Sequence, residues 1–245
     1  MGKYLKGGSM KILAMADLHG KFDDPFRFQG EGLTIVAGDF AYDDENGMVK
    51  SERVEDRIPM AEWVKSRLCQ FCCEYGRCQS KVVMVLGNHD RFVHENFDRT
   101  MLPENLNLLC DSGCTIGGLK IYGTSWCPWD KDERGKQKIR SQIFEDGSGM
   151  LRLQFSKIPE GLDILISHCP PRSDAFRKYS GKSSSELYDR IVEMKKPPKL
   201  IVCGHYHGPD SQNAIEDEII CANKEKSRIL CVAKTSKLIN FPDDV

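Results

Sequence analysis

The 245-residue sequence predicts an α/β fold. Two observations carry this reading. Short β-branched runs, apolar on both faces as a covered sheet requires, recur along the chain. Between them lie longer polar or helical stretches, and that alternation is the signature of strands interleaved with helices. No internal repeat, low-complexity tract or Pro/Gly linker divides the chain. Residues 10–245 are therefore expected to form a single domain.

In chain order, residues 1–9 carry Lys3, Lys6 and the Gly7-Gly8-Ser9 run and lack the apolar centre of an export signal. They are expected to be a solvated leader or a cloning scar. KILAMA (11–16), LTIVA (33–37) and KVVMVL (81–86) read as buried strands. Residues 59–78 read as a helix, with Trp63, Leu68 and Phe71 or Cys72 at helical spacing. TIGGLKIYGT (115–124) pairs two short strands through Gly117-Gly118. Residues 127–150, charged and weakly periodic, are expected to make a surface excursion around one or two helices. LDILIS (162–167) and KLIVC (199–203) are further buried strands. The helix expected over 183–196 opens on a serine run with Glu186 three residues after Ser183, which suits a capping box, and stops at Pro197-Pro198. EIICANKEKSRILCVAK (218–234) folds back around Asn223 to Ser227, and SKLINF (236–241) adds an edge strand.

The formal net charge of -1 excludes a bulk basic field, so no strong nucleic-acid-binding surface is expected and phosphate recognition must be local. No apolar run approaches the roughly 20 residues that span a bilayer. Eleven cysteines without an export signal favour reduced thiols and a cytoplasmic setting. Cys69, Cys72, Cys73 and Cys78 form one cluster; a zinc ribbon needs a second ligand pair at similar spacing, so buried helix cysteines are the reading preferred over a thiolate site.

The residues just after each buried run are the informative ones. KILAMA gives Asp17-Leu18-His19-Gly20, LTIVA gives Gly38-Asp39, and KVVMVL gives Gly87-Asn88-His89-Asp90. LDILIS gives His168, and KLIVC gives Gly204-His205-Tyr206-His207-Gly208. In an open α/β sheet the carboxyl ends of strands share one crevice, so these side chains can converge although they are far apart in sequence. Of the six histidines five lie in these motifs, and His94 is expected to be a helix-face or surface residue. Imidazoles and carboxylates without a thiolate suit zinc, iron, manganese or cobalt. Four such histidines and two aspartates exceed the needs of one tetrahedral ion. The surplus points to two ions sharing a carboxylate, about 3.5–4 Å apart.

Asp17-x-His19, Gly38-Asp39, Gly87-Asn88-His89-Asp90, His168 and Gly204-His205-x-His207 together resemble the motif set of the calcineurin-like metallophosphoesterases, in the family's order. The resemblance implies a four-layer α/β/β/α sandwich with a dimetal site at the strand ends. One ion would take Asp17, His19, Asp39 and His207; the other would take Asp39, Asn88, His168 and His205. It further implies two divalent cations (manganese favoured, with iron, zinc, cobalt and nickel as alternatives) and a bridging water or hydroxide as nucleophile. His89 is assigned proton transfer to the leaving oxygen, with Asp90 orienting its imidazole.

Protein Ser/Thr phosphatases of this superfamily carry Asp-Arg-Gly after the second block and Glu at the end of the third. This chain has Gly38-Asp39-Phe40-Ala41 and Asp90. IYGTSWCPWD (121–130) and IPEGLDILISHCPPR (158–172) are instead similar to the small metallophosphodiesterase subgroup, whose members hydrolyse cyclic nucleotides and aryl phosphodiesters. The expected substrate is therefore a small phosphodiester, with a phosphomonoesterase, a short-nucleic-acid nuclease or a non-catalytic scaffold as alternatives. Trp126 and Trp129 either stack a base or pack their loop, and Arg91 and Arg172 either meet a phosphate or are rim charges. Cys169 and Cys203, beside site residues, are expected to pack rather than act as redox switches.

Overall fold

A computed structural model describes residues 9–20, 32–41, 81–90, 94, 102–128, 144–146, 148–178, 181–207 and 213–244. The helix expected over 59–78 lies outside these residues, with Cys69, Cys72, Cys73 and Cys78, as do Arg91 and Trp129.

The first sheet contains β1 (Met10–Met15), β2 (Leu33–Ala37), β3 (Lys81–Val85), β4 (Leu106–Leu109) and β13 (Ser236–Phe241), in the order β13-β1-β2-β3-β4. β1 to β4 are parallel, and β13 joins the β1 edge antiparallel. The second sheet contains β5 (Ser112–Ile116), β6 (Leu119–Thr124), β9 (Ile164–Ser167), β10 (Leu200–Cys203), β11 (Ile215–Ile220) and β12 (Lys226–Cys231). Its order is β11-β12-β10-β9-β6-β5, parallel in the centre and antiparallel at both edges. A short parallel pair joins β7 (Cys127–Pro128) to β8 (Glu145–Asp146).

Strand periodicity sorts the side chains into layers. Ile12, Ala14, Leu33, Ile35, Val83 and Val85 face Ile164, Ile166, Leu200, Val202 and Leu230 across the gap between the sheets. Leu165, Ile201, Ile229 and Tyr122 point the other way, onto α1 (Ser148–Phe155) and α2 (Ser185–Glu193) through Leu151, Phe155, Leu187 and Ile191. Leu13, Met15, Val36, Val82 and Met84 are buried on the outer face of the first sheet. Both faces of the central strands are thus buried, and the two packed sheets agree with the α/β class that the apolar runs predict and with the sandwich that the motif resemblance implies.

The buried strands fall within a residue or two of their expected limits. The Gly117-Gly118 turn has both φ angles positive, at 57° and 87°, as a two-residue hairpin loop of this twist requires. α2 differs in its cap. Ser184 rather than Ser183 receives the Leu187 amide at 3.1 Å, and the Ser183 hydroxyl donates to the Phe176 carbonyl at 2.7 Å. Glu186 accepts from the Ser184 and Ser185 hydroxyls instead of closing a capping box. β4 and α1 are not anticipated from the sequence. β4 is only LNLL, and α1 leaves Met150 and Leu153 exposed, so neither carries a full apolar pattern.

The sheets approach closely at Gly123 on β6, where a Cβ would stand 2.6 Å from both Leu109 Cβ and Val85 Cγ1. Gly123→Ala is expected to destabilise the fold by about 1–3 kcal/mol, lowering Tm by roughly 2–12 °C. Gly149→Ala on α1, where a Cβ would meet nothing within 4 Å, should leave Tm unchanged or raise it. Thermal unfolding of the two variants beside the parent checks the pair; equal Tm values for both would remove the close-approach argument.

Candidate metal centre

β1, β2, β3, β9 and β10 all deliver their next residues to one place. The β1 and β2 exits run on as paired loops: Asp17 N–H donates to Gly38 O at 3.0 Å, His19 N–H to Asp39 O at 2.9 Å and Gly20 N–H to Phe40 O at 2.9 Å. The β10 exit is tied to β9 by Gly204 N–H to His168 O at 2.9 Å, and to Asp17, whose carboxylate accepts the His205 amide at 2.9 Å. The β3 exit is tied to β6, where Ser125 Oγ accepts the Leu86 amide at 3.1 Å.

Two donor groups result. In one, ligand atoms of Asp17, His19, Asp39 and His207 all lie within 4.8 Å of one another; in the other, those of Asp39, His168 and His205 do. Asp39 belongs to both. Its Oδ2 lies 3.5 Å from His168 Nε2, 3.8 Å from His19 Nε2 and 3.9 Å from His89 Nε2, and its Oδ1 accepts the His89 amide at 2.9 Å. Asn88 Oδ1 is 2.9 Å from His168 Nε2, and His207 Nε2 is 2.7 Å from Asp17 Oδ1.

The backbone is forced into this arrangement. Asp17, His19, Asp39 and His205 have φ of 56°, 43°, 53° and 62°, in the left-handed region that costs a non-glycine residue about 1–2 kcal/mol. Strain of this kind persists where surrounding contacts over-determine it, and it gathers at functional sites. Glycine supplies the clearance. A Cβ on Gly38 would stand 2.3 Å from His168 Nδ1, one on Gly87 2.1 Å from Asp39 Oδ1, and one on Gly204 2.5 Å from Asp17 Oδ2. Side chains at Gly38 and Gly87 would strike the candidate ligands His168 and Asp39. Gly204 has the same role, and its place beside His205 was the available signal.

The electrostatics match a cation-holding cluster. Burial alone would push the Asp39 carboxyl up, but the imidazoles of His168, His89 and His19 hold it well below the usual carboxylate range. His168 Nδ1 donates to Ala37 O at 2.9 Å, so Nε2 must face both Asn88 Oδ1 and Asp39 Oδ2, which are acceptors. Burial opposes a second proton there, yet the Asp39 carboxylate raises this histidine to about 9. A divalent cation can take the place of that proton. Burial holds His205 neutral, well below its ordinary value, and its Nε2 has no hydrogen-bond partner among the described residues. A buried neutral imidazole with an unused nitrogen, beside a carboxylate, fits a metal ligand.

Asp90 differs from expectation. Its Oδ2 accepts Gly87 N–H at 2.8 Å and Phe40 N–H at 3.2 Å, and its Oδ1 accepts Ala41 N–H at 2.7 Å. The carboxylate is therefore spent on backbone amides and locks the Gly38-Asp39 loop to the Gly87–Asp90 turn, where the sequence reading has it orienting His89. Burial and the charge of Asp39 push it up to about 6 against the pull of those amides.

His89 itself is part-exposed and stands at the shared carboxylate, its ring 5.0 Å from that of His19. Trp126 is half-buried, with Nε1 donating to Asp111 Oδ2 at 2.8 Å. Arg172 is exposed on the loop after Pro170-Pro171. His94 is exposed, as expected, and its amide donates to Asp90 O at 3.1 Å. Cys169 and Cys203 are fully buried free thiols whose ionisation burial opposes, in keeping with packing roles. No helix among the described residues is long and apolar enough to cross a membrane.

The sequence matches the family described as Calcineurin-like phosphoesterase over residues 10–209. It is 25% identical over 227 residues to Metallophosphoesterase domain-containing protein 1 of Homo sapiens, covering 82% of this chain and 61% of that protein, and the Mus musculus protein of the same name matches equally. UPF0046 protein C25E10.12 of Caenorhabditis elegans is 30% identical over 112 residues, covering 43% of this chain and 36% of that protein. The chain thus spans less than two thirds of the length of the human and mouse relatives that it matches.

Proposed function

The chain belongs to the calcineurin-like phosphoesterase family, and on that premise we propose that it hydrolyses small phosphodiesters at the Asp39-centred cluster. One observation carries the proposal: a single buried carboxylate is common to two groups of donors, each large enough to hold a divalent ion. Asp17, His19 and His207 would hold one ion with Asp39; Asn88, His168 and His205 would hold the other with it. Such cations supply Lewis acidity to phosphoryl oxygens and lower the pKa of water from about 15.7 towards 7. Manganese is the metal we favour, on a donor set of imidazole and oxygen without thiolate.

The protein's own part is positioning and proton supply. The His89 amide is pinned to Asp39 Oδ1, so the imidazole projects at the point where the two groups meet. It belongs to neither donor group and is part-exposed, which suits a general acid that gives its proton to the leaving oxygen. The Asp90 carboxylate holds the turn that carries it. A cytoplasmic setting is part of the proposal and is supported by the seven described cysteines, all free.

The diester preference rests on the likeness of residues 121–130 and 158–172 to small metallophosphodiesterases. With Mn²⁺ present, kcat/KM for bis(p-nitrophenyl) phosphate is expected to exceed that for p-nitrophenyl phosphate by about tenfold or more, a difference of about 1.4 kcal/mol or more. Turnover of the monoester alone would overturn the diesterase assignment and leave a phosphomonoesterase.

A further inference from the structure

Outside the metal centre, three rings form a row. The His94 and Phe144 centroids are 4.9 Å apart at an interplanar angle of 68°, and those of Phe144 and Trp126 are 5.7 Å apart at 85°. Contacts of this kind fix rings against one another without stacking them face to face. Both ends of the row are fastened to the centre. His94 is one helical turn past Asp90, to whose carbonyl its amide donates, and so follows His89 closely. At the other end, the Trp126 carbonyl lies 3.5 Å from the thiol of Cys169, the neighbour of His168, whose own amide donates to Thr124 O at 3.1 Å.

Burial separates these rings from those of the core. Phe40, Phe155, Phe176 and Tyr206 are at most 2% exposed. Trp126 and Phe144 are half-buried and His94 is exposed. Their orientation is nevertheless specified. The Asp111 carboxylate accepts Trp126 Nε1–H and Thr124 Oγ1–H, each at 2.8 Å. Phe144 O accepts the Cys127 amide at 2.8 Å.

The backbone is strained here as well. Asp111 has φ of 43° and Phe144 has φ of 60°. A bulky aromatic residue in the left-handed region is a conformational outlier. Among the described residues, eight non-glycine residues have positive φ: four are candidate ligands, two hold this row, and the others are Lys224 and Lys234. Strain that is kept at a part-exposed aromatic row, beside a strained metal centre, is the pattern of a ligand clamp.

We propose that Trp126, Phe144 and His94 form a rim that stacks a planar aromatic group of the phosphoester, and so determines which esters the centre prefers. This rests on the phosphoesterase reading of the centre. It is tested by calorimetric binding of phenylphosphonate and methylphosphonate to protein loaded with Mn²⁺, with His94→Ala and Phe144→Leu beside the parent. The parent is expected to bind the phenyl compound about tenfold tighter, and in each variant the ratio of the two affinities should fall towards one. A ratio is insensitive to a fraction of misfolded variant. Equal affinities in the parent, or a ratio that neither variant lowers, overturn the rim while the phosphate-binding centre stands. Failure of both phosphonates to bind overturns the rim together with the reading of the centre.

Discussion

Asp39→Ala is expected to empty the centre, taking bound metal from about two ions per chain to about zero and abolishing hydrolysis. Asp39 is the one carboxylate common to both donor groups, and it lies 3.5, 3.8 and 3.9 Å from the imidazoles of His168, His19 and His89. Removing it takes a ligand from each ion and leaves His168 and His205 with no carboxylate in their group, while the other group keeps only Asp17. It also removes the acceptor of the His89 amide. Breaking a buried charged cluster from one side costs about 3–5 kcal/mol, so the metal-free variant should also unfold at a lower temperature than the metal-free parent. Metal content by mass spectrometry after dialysis, with Tm in chelator as the fold control, reads both effects. Asp17→Ala is the comparison: it should lose the ion shared with His19 and His207 and keep the other. An Asp39 variant that retains both ions would remove the bridging role.

His89→Ala should behave differently, keeping both ions while kcat falls by about 10²–10⁴. The residue lies outside both donor groups but projects beside their shared carboxylate. If it protonates the leaving oxygen, the loss must grow as the leaving group becomes a worse anion. An alkyl p-nitrophenyl diester that expels p-nitrophenolate should be the least affected substrate, and a dialkyl diester the most. Plotting log kcat against leaving-group pKa for parent and variant gives the answer as a steeper slope in the variant. Parallel lines would remove the proton-transfer role and leave His89 as a substrate-positioning group.

Much of this molecule is legible in its sequence for one reason. A strand buried on both faces must be apolar throughout, so β1, β2, β3, β9 and β10 stand out as continuous runs, and the polar residues that end them stand out equally. The convergence of Asp17, His19, Asp39, Asn88, His168, His205 and His207 follows from the shared direction of parallel strands. What is not legible depends on distance or on backbone angle. Asp90 follows His89 in sequence and invites a side-chain partnership, but the amides of Phe40 and Ala41 reach its carboxylate from about fifty residues away. The left-handed conformations of Asp17, His19, Asp39 and His205 have no compositional mark, since glycine is the residue that normally signals them. The cap of α2 lies in a run of three serines, and composition alone does not tell which of them receives the Leu187 amide. Phe144 sits in a stretch without periodicity, and nothing in the sequence ties it to Trp126 and His94.

The most direct measurement is anomalous scattering from crystals of the protein grown with Mn²⁺. Two peaks are expected about 3.5–4 Å apart on either side of the Asp39 carboxylate, one against Asp17, His19 and His207 and the other against Asn88, His168 and His205. A lone peak away from Asp39, or histidines with no metal between them, would contradict the two-ion centre on which the proposed chemistry depends.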